Sequence, residues 1–183
     1  AFASDRRDGR QVARLLQDAD DGTAREVVIE AENFSRKRDS ASHQWVAGAS
    51  SLTASPDDGT VYQKPGFLAD AARTDYFIQF STPGYYHLWV YGAGTDAGSD
   101  SCHFSFDGEI AEGLDNVTLT RTGTPAWSNT AGEGNTLGVW VRSPGMHVLS
   151  LHMAEDGATV DKMILTLDFE YNPATHPVPV TPT

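Results

Sequence analysis

The chain has 183 residues, enough for one domain with a full hydrophobic core and short for two. Its formal net charge of −12 argues against nucleic acid and anionic membranes as partners, because both require basic patches. No apolar run approaches the ~18 residues of a membrane-spanning helix. The chain starts without Met and shows no signal peptide, so we expect a module cut from a longer protein.

The first segment, residues 1–25, differs in pattern from the rest of the chain. Val12, Leu15 and Leu16 have the spacing of one helix face, within a stretch rich in Arg, Asp and Gln. This pattern predicts at best a short amphipathic helix. Residues 1–25 are otherwise interpreted as an N-terminal extension or linker.

Residues 26–170 show the period of two that is typical of β-strands. Tyr76, Ile78 and Phe80 alternate with other residues, and similar runs cover residues 137–141 and 147–153. Turn signals containing Gly or Pro separate the runs, Asp107-Gly108 among them. We predict an all-β fold, an antiparallel β-sandwich of the jelly-roll type with about nine strands. Residues 171–183 are rich in Pro and Thr and are interpreted as a linker.

Three acidic residues near the two ends of this domain are candidate ligands for a cation. Glu30 and Glu32 share one face of the first strand, about 7 Å apart along it. Asp161, near the end, has the parity of the apolar Met163 and Leu165. Acids among core residues need a partner, and a hard divalent cation such as calcium suits three carboxylates. The alternative is that these acids are exposed at a sheet edge.

The segment Ile29-Glu30-Ala31-Glu32-Asn33-Phe34 resembles the opening strand of calcium-containing carbohydrate-binding modules of the family 6, family 35 and malectin-like type. The resemblance continues in order through residues 75–80, 83–90, 99–101, 106–108, 144–149 and 155–162. It implies a jelly-roll sandwich with a structural Ca²⁺. It also implies that Glu30, Glu32 and Asp161 are the calcium ligands.

In modules of this type, sugars are contacted by aromatic and polar residues in loops at one end of the sandwich. The candidate loops here are residues 42–45 and 125–129, so we predict a sugar site formed by Trp45, Trp127, Asn129 and His43. An exposed aromatic ring suits the apolar C–H face of a pyranose, and polar side chains read its hydroxyls.

Two further tryptophans, Trp89 and Trp140, have the parity of the sheet face opposite to the core. For both, packing is favoured over a role in a site. The chain also departs from its relatives at Tyr91, Ala154 and Pro125, where Arg, Arg and Trp are frequent. The identity of the sugar therefore does not follow from the resemblance.

The predicted function is that of a non-catalytic module that directs a covalently linked polysaccharide-degrading enzyme to a plant or algal polysaccharide. We expect a monomer that is secreted or on the cell surface, of bacterial origin. One alternative is a small glycoside hydrolase or lyase that uses Glu155 and Asp156, although adjacent side chains diverge and cannot easily flank one bond. Another is a structural or adhesive cell-surface module.

Overall fold

The structure is a computed structural model that describes residues 5–7, 10–12, 15–16, 26–110, 113–132 and 134–176. The strands in chain order are β1 Asp5–Arg7, β2 Arg10–Val12, β3 Leu15–Leu16, β4 Glu26–Glu30, β5 Arg36–Arg38, β6 Gln44–Ala47, β7 Leu52–Ser55, β8 Arg73–Phe80, β9 Gly84–Ala93, β10 Ser101–Phe106, β11 Val117–Thr118, β12 Ala126–Ser128, β13 Gly138–Val141, β14 Gly145–Met153 and β15 Thr159–Thr166. One helical turn, α1 Phe67–Asp70, precedes β8.

The strands form two main sheets. The first sheet has the order β11-β10-β14-β8-β3, with β5 also paired to β8. The second has the order β12-β9-β15-β7-β6, with β13 also on β9 and β4 also on β15. All pairs are antiparallel except β3 with β8. Nine of the described strands have four or more residues, so the predicted sandwich of about nine strands is confirmed.

The helix considered for Val12, Leu15 and Leu16 is wrong. Arg10–Val12 pairs with β1 and Leu15–Leu16 pairs with β8, so the backbone is extended at these residues. The remainder of residues 1–25 lies outside the described residues.

The core lies between the two sheets and is built by the alternation seen in the sequence. Tyr76, Ile78 and Phe80 of β8 are fully buried, as are Tyr86 and Leu88 of β9. Burying one such side chain contributes roughly 1.5–3 kcal/mol, which explains why the period of two is so regular in the long strands. Residues after β15 also contact the folded unit, since Tyr171 is only 6% exposed.

The sandwich has two distinct ends, which position the candidate sites. At the Gly84 end, β8 gives way to β9 after Phe80, and Val141 pairs with Gly84. At the Asp161 end, β9 finishes at Ala93 beside Thr159 of β15. Strand β4 pairs with β15 from Glu26 opposite Thr166 to Glu30 opposite Lys162, so it begins at the Gly84 end and finishes at the Asp161 end.

The register of β15 corrects one detail of the sequence analysis. Val27 and Ile29 of β4 face the core, whereas Glu30 lies on the outer face and pairs with Lys162. A shift of register between Val160 and Lys162 takes Asp161 out of the alternation. Asp161 is therefore half-buried and does not share the core face of Met163, because the bulge breaks the parity on which that prediction depended.

In the part of the chain that the structure describes, α1 is a single turn, and no helix is long and apolar enough to cross a membrane.

Candidate functional site

A cleft of about 600 Å³ opens at the Gly84 end. Its lining combines aromatic rings with charged and polar side chains: Tyr85, Phe106, Asp107, Glu109, Asn135, Thr136, Gly138, Val139, Trp140, Arg142 and His147. It is bounded by β9 and β13 of the second sheet and by the ends of β10 and β14 of the first.

The aromatic wall of the cleft comes from the outer face of the second sheet. Trp140 is 62% exposed, and its ring meets that of Tyr85 edge-on at 5.3 Å between centroids. The residue paired with His87 is Gly138, and a β-carbon there would come within 2.6 Å of Cε1 of Tyr85. The missing side chain at Gly138 lets the Tyr85 ring lie against the backbone, which fixes the wall beside Trp140.

The polar wall begins at the tight turn after β10. Asp107 and Gly108 have φ of 52° and 84°, and Phe106 is bridged to Glu109, so Asp-Gly makes a two-residue hairpin turn. Oδ1 of Asp107 accepts a hydrogen bond from the backbone N–H of Val148 at 2.9 Å. The turn signal in the sequence therefore positions a carboxylate at the rim of the cleft.

His147 joins the two walls of the cleft. Its ring stacks on Phe106 at 5.3 Å, and its Nδ1 lies 2.7 Å from Oδ2 of Asp107. Its Nε2 lies 3.0 Å from the main-chain oxygen of Ser143. Burial acts to lower the pKa of His147, but the hydrogen bonds to Asp107 and Ser143 and the Asp107 charge outweigh it, so this pKa lies above its usual value.

The chemistry of the cleft suits a hydroxylated ligand with an apolar face. The exposed indole of Trp140 loses unfavourable contact with water when a C–H surface covers it. Arg142 and Asn135 supply N–H donors, and Asp107 and Glu109 supply acceptors, on the same cavity. A concave site with a few polar groups around an aromatic ring is the usual form of a small-molecule pocket.

The predicted placement of Trp45 in an exposed loop is wrong. Trp45 lies in β6, is 1% exposed, and donates its indole N–H to the main-chain oxygen of Ala72 at 3.2 Å. Its ring is part of the core, so a sugar cannot stack on it. The flanking Gln44 and Val46 are exposed, and this alternation is the signal that indicates a strand.

The structure likewise places His43 in the interior, at 2% exposure. Its Nε2 lies 3.2 Å from Oδ1 of Asp58 and 3.5 Å from Oδ2 of Asp156. His43 therefore contacts carboxylates and presents almost no surface to a sugar.

Trp127 and Asn129 lie elsewhere. Trp127 is half-buried in β12, where it pairs with Tyr91 and packs on that ring at 5.0 Å between centroids. Asn129 follows β12, and its main-chain oxygen accepts the N–H of Leu137. Strands β9, β15 and β7 separate β12 from the strand of Trp45, so the four predicted residues do not form one site.

Trp140 is the residue that sequence reasoning set aside. The alternation of residues in this strand correctly predicted that Trp140 faces away from the core, but a packing role was favoured over a binding role. Among the described strands β13 pairs with β9 only, and the Trp140 ring lies on the outer face of this margin of the sheet, where it stays exposed. Glycine at position 138, two residues before Trp140, is a signal for a close approach that could have indicated the site.

The three acidic residues predicted to hold calcium lie near one another at the Asp161 end. The backbone N–H of Ala31, between Glu30 and Glu32, donates to the main-chain oxygen of Asp161 at 2.8 Å. Burial, and then the charges of Glu30 and Asp161, raise the pKa of Glu32. Burial and the charge of Glu30 also raise the pKa of Asp161, against the opposing charge of Lys162.

Described partners of these carboxylates include a lysine and a serine. Nζ of Lys162 lies 3.1 Å from Oε1 of Glu30, and Oγ of Ser50 lies 3.5 Å from Asp161. Oε2 of Glu32 is buried and has no hydrogen-bond partner among the described residues. Carboxylate oxygens, one of them buried without a described partner, are the kind of donor that a hard divalent cation prefers.

Glu155 and Asp156, the pair weighed for catalysis, point to different loops. Oε2 of Glu155 accepts the backbone N–H of Asp100 at 2.9 Å. Oδ2 of Asp156 accepts three backbone N–H groups, those of Asp58, Gly59 and Thr60. The two carboxylates hold separate loops instead of facing each other across a cleft.

Comparison with solved structures shows the same fold. The family 35 carbohydrate-binding module (CBM35) of Paenibacillus barcinonensis aligns with a TM-score of 0.52 at 15% identity, over 78% of this chain and 99% of that one. The GH26-CBM35 β-(1,4)-mannanase of Podospora anserina aligns with a TM-score of 0.51 at 16% identity, over 81% of this chain but only 29% of the mannanase. The resemblance to family 35 modules is thus confirmed at the level of the fold.

No curated protein matches this chain. A family model described as the glycosyl hydrolase family 115 C-terminal domain matches residues 22–174, which is most of the chain. The chain therefore belongs to the family of glycosyl hydrolase family 115 C-terminal domains.

Proposed function

We propose that this domain is a non-catalytic carbohydrate-binding module of a larger glycoside hydrolase, and that it binds glycan in the cleft at the Gly84 end. The observation that carries the proposal is the 62% exposed ring of Trp140 on a cleft of about 600 Å³. A large exposed ring costs solvation free energy unless a ligand covers it, and a sugar ring offers a matching apolar face.

The cleft also fits the hydrogen-bonding needs of a sugar. Hydroxyl groups both donate and accept, and the rim presents Arg142 as a donor and Glu109 as an acceptor. His147 and Asp107 add a hydrogen-bonded pair whose orientation is fixed by Ser143 and Val148. Such fixed groups select a ligand by the position of its hydroxyls.

The attached enzyme would be a polysaccharide-degrading hydrolase, as the family description supports. The module would hold it on a plant or algal polysaccharide outside the cell. A direct catalytic role is disfavoured because Glu155 and Asp156 are engaged by backbone N–H groups of different loops. Glycosidic hydrolysis needs two carboxyl groups on opposite sides of one bond.

We also propose that Ca²⁺ binds to Glu30, Glu32 and Asp161. The ion would supply positive charge to the orphaned oxygen of Glu32 and would tie the end of β4 to the bulge of β15. These residues lie at the end of the sandwich opposite to the cleft, so the ion would support the fold without contacting the sugar.

Affinity electrophoresis of the isolated chain against plant and algal polysaccharides tests the binding proposal. We expect retardation on at least one polysaccharide, and loss of that retardation in Trp140→Ala. Phe169→Ala is the matched control, because Phe169 is 76% exposed but does not line the cleft.

A second arm of the same experiment uses Trp127→Ala. Trp127 and Tyr91 form another half-buried aromatic pair, and the sequence predicted a role for Trp127 in binding. Loss of retardation in Trp127→Ala with full retention in Trp140→Ala would contradict the cleft assignment. Absence of binding to every glycan in a broad array would contradict the function itself.

A further inference from the structure

A histidine and two aspartates converge at the Asp161 end, apart from the cleft and from the acidic cluster of Glu30, Glu32 and Asp161. One donor atom from each of His43, Asp58 and Asp156 lies within 4.8 Å of the other two. His43 and Asp156 are buried, whereas Asp58 is exposed, with 52% of its side chain accessible. The cluster therefore has a rigid interior side and one side that is open to solvent.

The carboxylate of Asp156 is held in place on one oxygen only. Its Oδ2 accepts the backbone N–H groups of Asp58, Gly59 and Thr60 at 2.6, 2.9 and 3.0 Å. Its Oδ1 is buried and has no hydrogen-bond partner in the described part of the chain. A buried carboxylate oxygen without a partner is costly, so an oriented but unsatisfied oxygen points to a missing ligand.

The imidazole of His43 is also oriented by its surroundings. Its Nδ1 lies 2.8 Å from Oγ of Ser42, and its backbone N–H donates to Oγ of Ser40 at 2.8 Å. When Nδ1 carries the proton and donates it to Ser42, the lone pair of Nε2 faces the two aspartates. Metal-binding histidines are commonly held in this way through the other ring nitrogen.

Asp58 completes the set from the open side. The hydroxyl of Thr60 donates to its Oδ1 at 2.7 Å and holds the carboxylate beside His43. Two aspartates and one histidine are a donor set that can bind a divalent ion. One nitrogen and two oxygens are donors that Zn²⁺ accepts, and three protein ligands leave a coordination position for solvent.

We propose that His43, Asp58 and Asp156 form a binding site for a divalent transition-metal ion of the zinc class. The ion would bind Nε2 of His43 and one oxygen of each aspartate. It would join the loop before β6, the loop at residues 57–60 and the turn at Asp156. This site differs in chemistry from the all-oxygen cluster of Glu30, Glu32 and Asp161, which suits a harder ion.

The competing explanation is an ion pair without metal. A protonated His43 could donate from Nε2 to Asp58 at 3.2 Å and lie near Asp156 at 3.5 Å. In that case the cluster would need no ion, and Zn²⁺ would bind no more tightly here than at other surface carboxylates. The metal site predicts one tightly bound equivalent of Zn²⁺, whereas the ion pair predicts none.

Calorimetric titration of the tag-free chain with Zn²⁺, in the presence of excess Ca²⁺, tests the proposal. The Ca²⁺ is added so that any oxygen-only cation site is already filled. We expect the parent chain to bind one equivalent of Zn²⁺ tightly and Asp58→Asn to bind it at least tenfold more weakly. Mutation of a residue that only hydrogen-bonds to a metal ligand already lowers metal affinity about 10–100-fold. Asp58 is exposed, so this variant removes a ligand without a buried cavity.

Asp70→Asn is the matched control, because Asp70 is an exposed carboxylate on α1 outside the cluster. Co²⁺ provides a second readout: its visible absorption should show one nitrogen ligand in the parent and in Asp70→Asn, and should be lost in His43→Gln. Equal Zn²⁺ affinity in Asp58→Asn and the parent, or no stoichiometric Zn²⁺ binding by the parent, would overturn the site and favour the ion pair.

Discussion

The ring of Tyr85 lies so close to Gly138 that a β-carbon on Gly138 would approach Cε1 of the ring to 2.6 Å. Real β-carbons do not tolerate such a contact, so Gly138 and Tyr85 depend on each other. The pair determines the position of the aromatic wall, because the same Tyr85 ring meets Trp140.

Gly138→Ala is therefore expected to lower both the melting temperature and the affinity for glycan. The added methyl group must push the Tyr85 ring away from the sheet, since the backbone of β13 is fixed by its pairing with β9. In the double variant Tyr85→Ala/Gly138→Ala the clash is gone, so its melting temperature should be higher than additive losses predict. Thermal melts of the parent, both single variants and the double variant measure this; strict additivity would contradict the contact.

Trp45 and Trp140 should respond in opposite ways to truncation. Trp45→Ala removes a core ring and is expected to cost ~3–5 kcal/mol of unfolding free energy. Trp140→Ala removes an exposed ring and should change stability by only about 0.5 kcal/mol while it abolishes glycan retention. Urea unfolding together with affinity electrophoresis separates the two effects. A large loss of stability in Trp140→Ala would show that this ring supports the fold.

Glu32→Gln should change the stability in opposite directions with and without Ca²⁺. The pKa of Glu32 is raised, so its ionised form destabilises the folded state above that pKa, and the cost disappears as the pH falls below the ordinary value. In chelator near neutral pH, Gln should therefore raise the melting temperature. A hundredfold excess of Ca²⁺ over its dissociation constant should raise the free energy of unfolding of the parent by ~2.7 kcal/mol. Glu32→Gln loses a ligand and thus part of this gain, so in excess Ca²⁺ it should have the lower melting temperature.

Glu170→Gln, a change at an exposed carboxylate, serves as the control for Glu32→Gln. Calcium binding by these residues is contradicted if Glu32→Gln is the more stable protein in both buffers.

The stability contributed by His147 should depend on pH. Its folded-state pKa is raised, so protonation is favoured in the folded protein, beside Asp107. This contribution is complete below the unfolded pKa of about 6.5 and is lost as the pH rises through the higher folded value. The difference in melting temperature between the parent and His147→Gln should thus be larger at about pH 5 than at about pH 9. A constant difference across this interval would argue against a charged pair.

The fold was largely predictable because its signals are local. Alternation in β8 and β9 and the Asp107-Gly108 turn depend on neighbouring residues only. The aromatic cleft was not predictable in this way. The exposure of Trp140 depends on which strands lie beside β13. The local sequence pattern does not predict which distant segments pair.

Two residues show why site prediction from parity is limited. Asp161 appeared to face the core with Met163, but the bulge in β15 shifts it. Trp45 appeared to lie in a polar loop, yet four residues of regular strand are enough to bury it. The grouping of Glu30, Glu32 and Asp161 as calcium ligands came from the resemblance over residues 26–168 and stays a prediction.

The antiparallel pairing of β4 with β15 also determines which strand ends lie on the side of Trp140. Glu26 is opposite Thr166, so β4 begins and β15 ends at the Gly84 end. The first strand of the second sheet therefore begins, and its last strand ends, on the side of the sandwich where Trp140 is exposed, so a glycan held there would lie close to both of these strand ends.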